Sequence, residues 1–108
     1  MSVTSALDLD PKFLWASNNL AWLLSTSADD RARNGREAIP HATYACDKSE
    51  WHCWSFIDTL SAAHAEAGDF DSAVKTAEKA LLVAPAEERE SVESNIRAYR
   101  MKRPIRQS

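Results

Sequence analysis

Residues 53–85 read CWSFIDTLSAAHAEAGDFDSAVKTAEKALLVAP. Ile57, Leu60, Ala63, His64 and Ala67 fall at helical spacing and share one side of a helix expected over 54–67. Gly68 supplies the left-handed residue that closes such a helix, and Asp69 or Asp71 supplies the cap that opens the next. Ala73, Val74, Ala77, Ala80 and Leu81 form the inner stripe of that second helix, expected over 71–84, and Pro85 ends it. The segment reads as two helices joined by a short turn.

Both flanks carry the same punctuation. Asp10-Pro11 opens a helix expected over 11–27, because the Asp oxygen caps free N–H groups and Pro suits the first turn. Ala16, Leu20, Ala21, Leu23 and Leu24 place its apolar face. The polar stretch STSADDRARNG (25–35) stops it. A helix over 36–48 follows, with Ala38, Ala42 and Ala45 in register; Pro40 costs little near its first turn and would bend it deeper in. The last helix, 87–101, spaces Val92, Ile96 and Tyr99 four and three apart. Its acids Glu87, Glu88, Glu90 and Glu93 precede its bases Arg97, Arg100, Lys102 and Arg103, which complements the helix dipole. The tail from Pro104 reads as loose.

Composition agrees with an all-α chain. The sequence has 108 residues, enough for one domain with a modest core, and is 44% hydrophobic and 27% charged. Two glycines are few for a strand-rich fold with tight hairpins. A net charge of −3 argues against nucleic acid as a partner. No apolar run approaches the ~20 residues of a membrane span, so no membrane partner is expected. The start MSVTSALDLDPK lacks the regions of a signal peptide, and the cytoplasm is the expected compartment.

The segment at 54–86 carries Leu60, Gly68-Asp69-Phe70, Ala73, Ala80-Leu81 and Pro85 without a gap, and so resembles the tetratricopeptide repeat, a unit of about 34 residues. Ile57, His64 and Ala77 stand where that family usually has aromatics. Residues 12–53 align more loosely through Asn19-Leu20-Ala21, Ala38-Ile39, Ala42 and Ala45, with a longer inter-helix loop and Glu50 in place of the closing Pro. Residues 1–11 resemble the end of a preceding repeat, since ALDLDP (6–11) parallels ALLVAP (80–85), and 87–103 resembles a capping helix. The resemblance implies a right-handed stack of antiparallel helical hairpins in a single domain over 1–108. Small residues such as Ala21, Ala73 and Ala80 then stand where helices cross, with Leu20, Leu60 and Leu81 filling the gaps between. Stacked arrays typically need about three or more units. Either the chain is the C-terminal part of a longer protein, or its first face pairs with another copy through Leu7, Leu9, Phe13 and Leu14.

Candidate chemistry is sparse. His41, Cys46, His52 and Cys53 cluster in sequence, yet no pair has the spacing of a structural zinc site, and no metal or cofactor is expected. A Cys46–Cys53 disulfide is not expected in a reducing compartment. His64 reads as a packed ring. No serine stands in a Gly-rich elbow, no Gly-rich phosphate loop occurs, and Asp29-Asp30 and Glu87-Glu88 suit a loop and a helix start, so the chain does not read as an enzyme.

The four tryptophans are the remaining signal. Trp15 and Trp22 lie seven apart on one helix with Asn18 between them, a face offset from Leu20 and Leu24. In the resembled family this side of each first helix lines a concave peptide groove. The resemblance then implies a groove of Trp15, Asn18, Trp22 and Ser25 from one unit and Ser55, Asp58, Ala62 and Glu66 from the next. The alternative is that both tryptophans are buried between helices, with Asn18 or Asp58 tying one helix to another. Trp51 and Trp54 read as staples at a helix start. Some members of the family clamp a chaperone's C-terminal carboxylate with lysines; this face has none and carries Asp58 and Glu66, which disfavours such a ligand. The expected function is a non-catalytic interaction or scaffold module that offers a shallow groove to a protein or peptide. The alternatives are a structural element that self-associates and a regulatory part of a larger protein.

Overall fold

Five α-helices run through residues 11–106, the part of the chain that the computed structural model describes. They are α1 (Pro11–Thr26), α2 (Gly35–Lys48), α3 (Trp54–Glu66), α4 (Phe70–Val83) and α5 (Ala86–Arg100), with no strand among the described residues. Leu7, Leu9 and the expected cap Asp10 lie outside the described residues. Each helix packs on the next, and α1 also packs on α3. That order is consistent with stacked helical hairpins.

Three helix ends share one solution. After α3, Gly68 takes φ 91°, its N–H donates to the Ala65 carbonyl, and the Asp69 N–H reaches back to His64. This pair of bonds is a Schellman motif, which satisfies carbonyls the helix leaves orphaned. Glu50 (φ 56°) repeats it after α2, donating to Asp47 while Trp51 (φ 60°) donates to Cys46. Lys102 (φ 58°) repeats it after α5, donating to Tyr99 while Arg103 donates to Ala98. Only the first has the glycine that marks such a turn in sequence. At the starts, Asn34 Oδ1 accepts from Glu37 N–H and Asp69 Oδ1 from Ser72 N–H. Asp69, not Asp71, is therefore the cap of α4. Pro40 sits in the second turn of α2 and is exposed, and its missing N–H leaves the Arg36 carbonyl without its helical partner.

The core is built from alanine. Ala21, Ala38, Ala42, Ala45, Ala63, Ala73, Ala77 and Ala80 are fully buried, which lets neighbouring backbones approach closely. Phe56, Ile57, Leu60, Val92, Ile96 and Tyr99 supply the bulk, each side chain of this size stabilising the fold by about 1.5–3 kcal/mol. Gly35 marks the closest approach: a Cβ there would lie 2.5 Å from Ala67 N and 2.8 Å from Glu66 C. The start of α2 thus crosses the end of α3 backbone to backbone.

The apolar face of α1 differs from the expectation. Its buried line is Asn18, Ala21 and Ser25, whereas Ala16 is exposed and Phe13, Leu20 and Leu23 are 49%, 41% and 51% exposed. Leu20 fills no gap between the helices described, because α2 and α3 both pack on the opposite, smaller-residue side. Leu14 is half-buried against the core. The C-terminal tail is docked rather than loose. Ile105 packs on the core, and Arg106 Nη1 lies 2.7 Å from Glu66 Oε1. Glu66 Oε2 also pairs with Arg33 Nε at 3.4 Å, and Arg33 donates to the Ser27 carbonyl and to Asp30, which pins the α1–α2 loop.

Candidate functional site

Where α1 lies against α3 the surface opens into a cleft of about 250 Å³. Trp15, Asn18, Asn19 and Trp22 line it from α1, and Trp54, Ser55, Asp58 and Thr59 from α3. The spacing explains the assembly. Positions 15, 18, 19 and 22 lie on one face of α1, and 54, 55, 58 and 59 on one face of α3. The two facing stripes become the walls of the cleft.

Trp15 is 46% exposed and sets its ring edge-on to Phe56, with centroids 4.8 Å apart. Trp22 and Trp54 are half-buried. Neither Trp15 nor Trp22 is fully buried between helices. Thr59 Oγ1 donates to the Ser55 carbonyl at 3.0 Å and is spent on its own helix. Asn18 is 7% exposed, and its Oδ1 has no hydrogen-bond partner. An acceptor buried in that way typically costs about 1–3 kcal/mol.

Asp58 is the one ionisable group among the described residues that line the cleft. Burial pushes its carboxyl up to about 6, and the hydrogen bond that Asn95 Nδ2 donates to Oδ1 at 3.3 Å opposes this only in part. No cation pairs with it among the described residues. Asn95 belongs to α5, so Asp58 does tie one helix to another. Tyr99, also on α5, sits 3.4 Å from Ser61 Oγ, and burial holds its phenol well above the ordinary value. The last helix thus reaches α3 at Asp58 and Ser61.

The other expected groove residues do not line this cleft. Ala62 is buried, and Ser25 is buried with its Oγ donating to the Ala21 carbonyl at 2.7 Å. Glu66 is engaged by Arg33 and Arg106 at the far end of α3. The structure therefore gathers Trp15, Asn18, Trp22, Ser55 and Asp58 at one cleft, and places Ser25, Ala62 and Glu66 away from it. Asn19, Trp54 and Thr59 join without having been expected. Trp54 was legible, since it precedes Asp58 by one helical turn; reading it only as a staple hid this. Trp51, by contrast, lies elsewhere, donating from Nε1 to Asp47 Oδ1 at 3.1 Å beneath Lys79 Nζ.

A larger cleft of about 440 Å³ lies between α4 and α5, lined in part by Phe70, Val74, Lys75, Glu78, Tyr99 and Arg100. Its charges are of both signs, and Arg100 pairs with Glu78 at 3.5 Å. It holds no buried polar atom lacking a partner. Size does not make it the better site. Cys46 is buried in the core with its thiol pushed up to about 12, chiefly by burial, and both Cys46 and Cys53 are free. No group of three or more His, Cys, Asp or Glu is placed to hold a metal among the described residues, and no described helix is long and apolar enough to cross a membrane.

Comparison with protein-family models, with curated proteins and with solved structures gives no match for this chain.

Proposed function

We propose that this chain is a non-catalytic interaction module of tetratricopeptide type, and that the cleft between α1 and α3 holds a segment of a partner protein. The observation that carries the reading is the convergence of three partly exposed indoles, an unpartnered amide oxygen and an unpaired carboxylate on one concave surface. Tryptophan offers a large apolar face with a donor at its edge, and such residues anchor protein interfaces. The buried alanines of α2, α3 and α4 support the repeat reading, because small residues belong where hairpins cross. Two free cysteines fit the cytoplasm as the working compartment.

Selection of displayed random peptides tests this. The unmodified protein is expected to enrich a related set of sequences that Trp22→Ala no longer retains. Enrichment unaffected by Trp22→Ala places the working surface elsewhere.

A second reading, structural self-association, draws on the exposed row Phe13, Leu20 and Leu23 along α1. A second copy seated there predicts a dimer by light scattering that Leu23→Glu dissociates. A concentration-independent monomer removes this reading and leaves the first intact.

A further inference from the structure

The cleft carries a carboxylate with no cation beside it among the described residues. Asp58 has one carboxylate oxygen bonded to Asn95, and Asn18 Oδ1 is buried and unpartnered. Among the described residues no Lys, Arg or His lines the cleft, and the formal charge they bring to it is negative. Around these acceptors stand Trp15, Trp22 and Trp54, whose ring faces carry the negative lobe of the aromatic quadrupole. Aromatic faces and acceptors together attract the same kind of group, a cation rich in N–H donors.

We propose that the cleft between α1 and α3 takes the basic side chain of a partner peptide, its guanidinium or ammonium head lying among Trp15, Trp22 and Trp54 and donating to Asp58. This rests on the reading of the cleft as a peptide site and adds the chemistry of what fills it. Arginine and lysine share that chemistry. A planar guanidinium also stacks on an indole and presents five donors in a fork that matches a carboxylate, so arginine fits this cleft better. An acidic or C-terminal carboxylate ligand is opposed by Asp58. Its carboxyl sits at about 6, so the group is charged at neutral pH and adds attraction where the ligand is also charged.

Indole N–H signals in ¹⁵N NMR test the proposal on the full chain. The probes are N-acetyl-arginine amide, N-acetyl-lysine amide, N-acetyl-glutamate amide and the uncharged N-acetyl-norleucine amide. The arginine and lysine probes are expected to shift Trp15, Trp22 and Trp54 but not Trp51, arginine at the lower concentration. Norleucine and glutamate are expected to bind at least about tenfold more weakly, and Asp58→Asn to weaken the arginine probe by a similar factor. The norleucine comparison needs no variant, so it stands even if Asp58→Asn alters the fold. Equal shifts by arginine and norleucine overturn the cation proposal while keeping the cleft as a binding site. Shifts confined to the glutamate probe overturn it in the same way. No shift from any probe overturns the cation proposal, and failure of selected peptides to move these indoles is the separate result that removes the site itself.

Discussion

Asp58 has an energetic signature that separates it from the surface acids. Its carboxyl is raised from an ordinary 3.8 to about 6, mainly by burial. The folded state therefore holds this proton more tightly than the unfolded state does. Below pH 3.8 both states are protonated and the neutral group contributes fully to stability; that contribution is lost as pH rises through 6. At pH 7 the charged Asp58 costs the fold up to about 3 kcal/mol. Asp58→Asn is expected to raise stability by about 1–3 kcal/mol at pH 7 in urea unfolding, with the gain vanishing near pH 3.5. A constant difference across that range contradicts the burial argument. The same variant is expected to bind basic side chains worse, so stability and binding pull in opposite directions at one residue. The resemblance to the tetratricopeptide repeat marked Asp58 as a groove residue, but its cost was not legible there, because its burial and its contacts with Asn95 and Tyr99 depend on parts of the chain far apart in sequence.

At the scale of elements, helix ends and crossings divide what could be read from what could not. The Gly68 stop was plain in the sequence and the cap of α4 was narrowed to Asp69 or Asp71, since glycine at positive φ and an Asp oxygen on a free N–H are local effects. The turn after α2 was not, because Glu50 and Trp51 take left-handed conformations that their side chains do not advertise. Their φ values carry a cost of about 1–2 kcal/mol each. Glu50→Gly is accordingly expected to stabilise the protein by about 1 kcal/mol, seen as a higher Tm; a fall in Tm would mean that the Glu50 side chain holds the turn. The crossings behave in the opposite sense. Ala73 is fully buried on the inner stripe of α4, so Ala73→Leu is expected to destabilise by about 1–3 kcal/mol in denaturant unfolding. A neutral result would place a void where the helices should touch. Gly35 shows what periodicity misses: it reads as the end of a polar turn, yet it is the point where two backbones come within contact of each other.

For the whole molecule, α1 has one face that is filled and one that is not. Small side chains at Asn18, Ala21 and Ser25 admit α3, while Phe13, Leu20 and Leu23 point to the other side. The apolar stripe of α1 misleads in isolation, because periodicity finds a face without saying which neighbour covers it. The same limit applies to the groove. The resemblance paired positions on α1 and α3, but the contact of Asn95 with Asp58 and the capture of Glu66 by Arg33 and Arg106 depend on residues far apart in the chain. What results is a short stack with its indoles concentrated at one cleft and one tryptophan, Trp51, held apart from it beside Lys79. That separation provides an internal control. In ¹⁵N NMR with a peptide chosen by selection on the unmodified protein, the indole N–H signals of Trp15, Trp22 and Trp54 should move together while Trp51 stays still. Movement of Trp51 alone, or of all four alike, would mean that the cleft between α1 and α3 is not where this protein meets its partner.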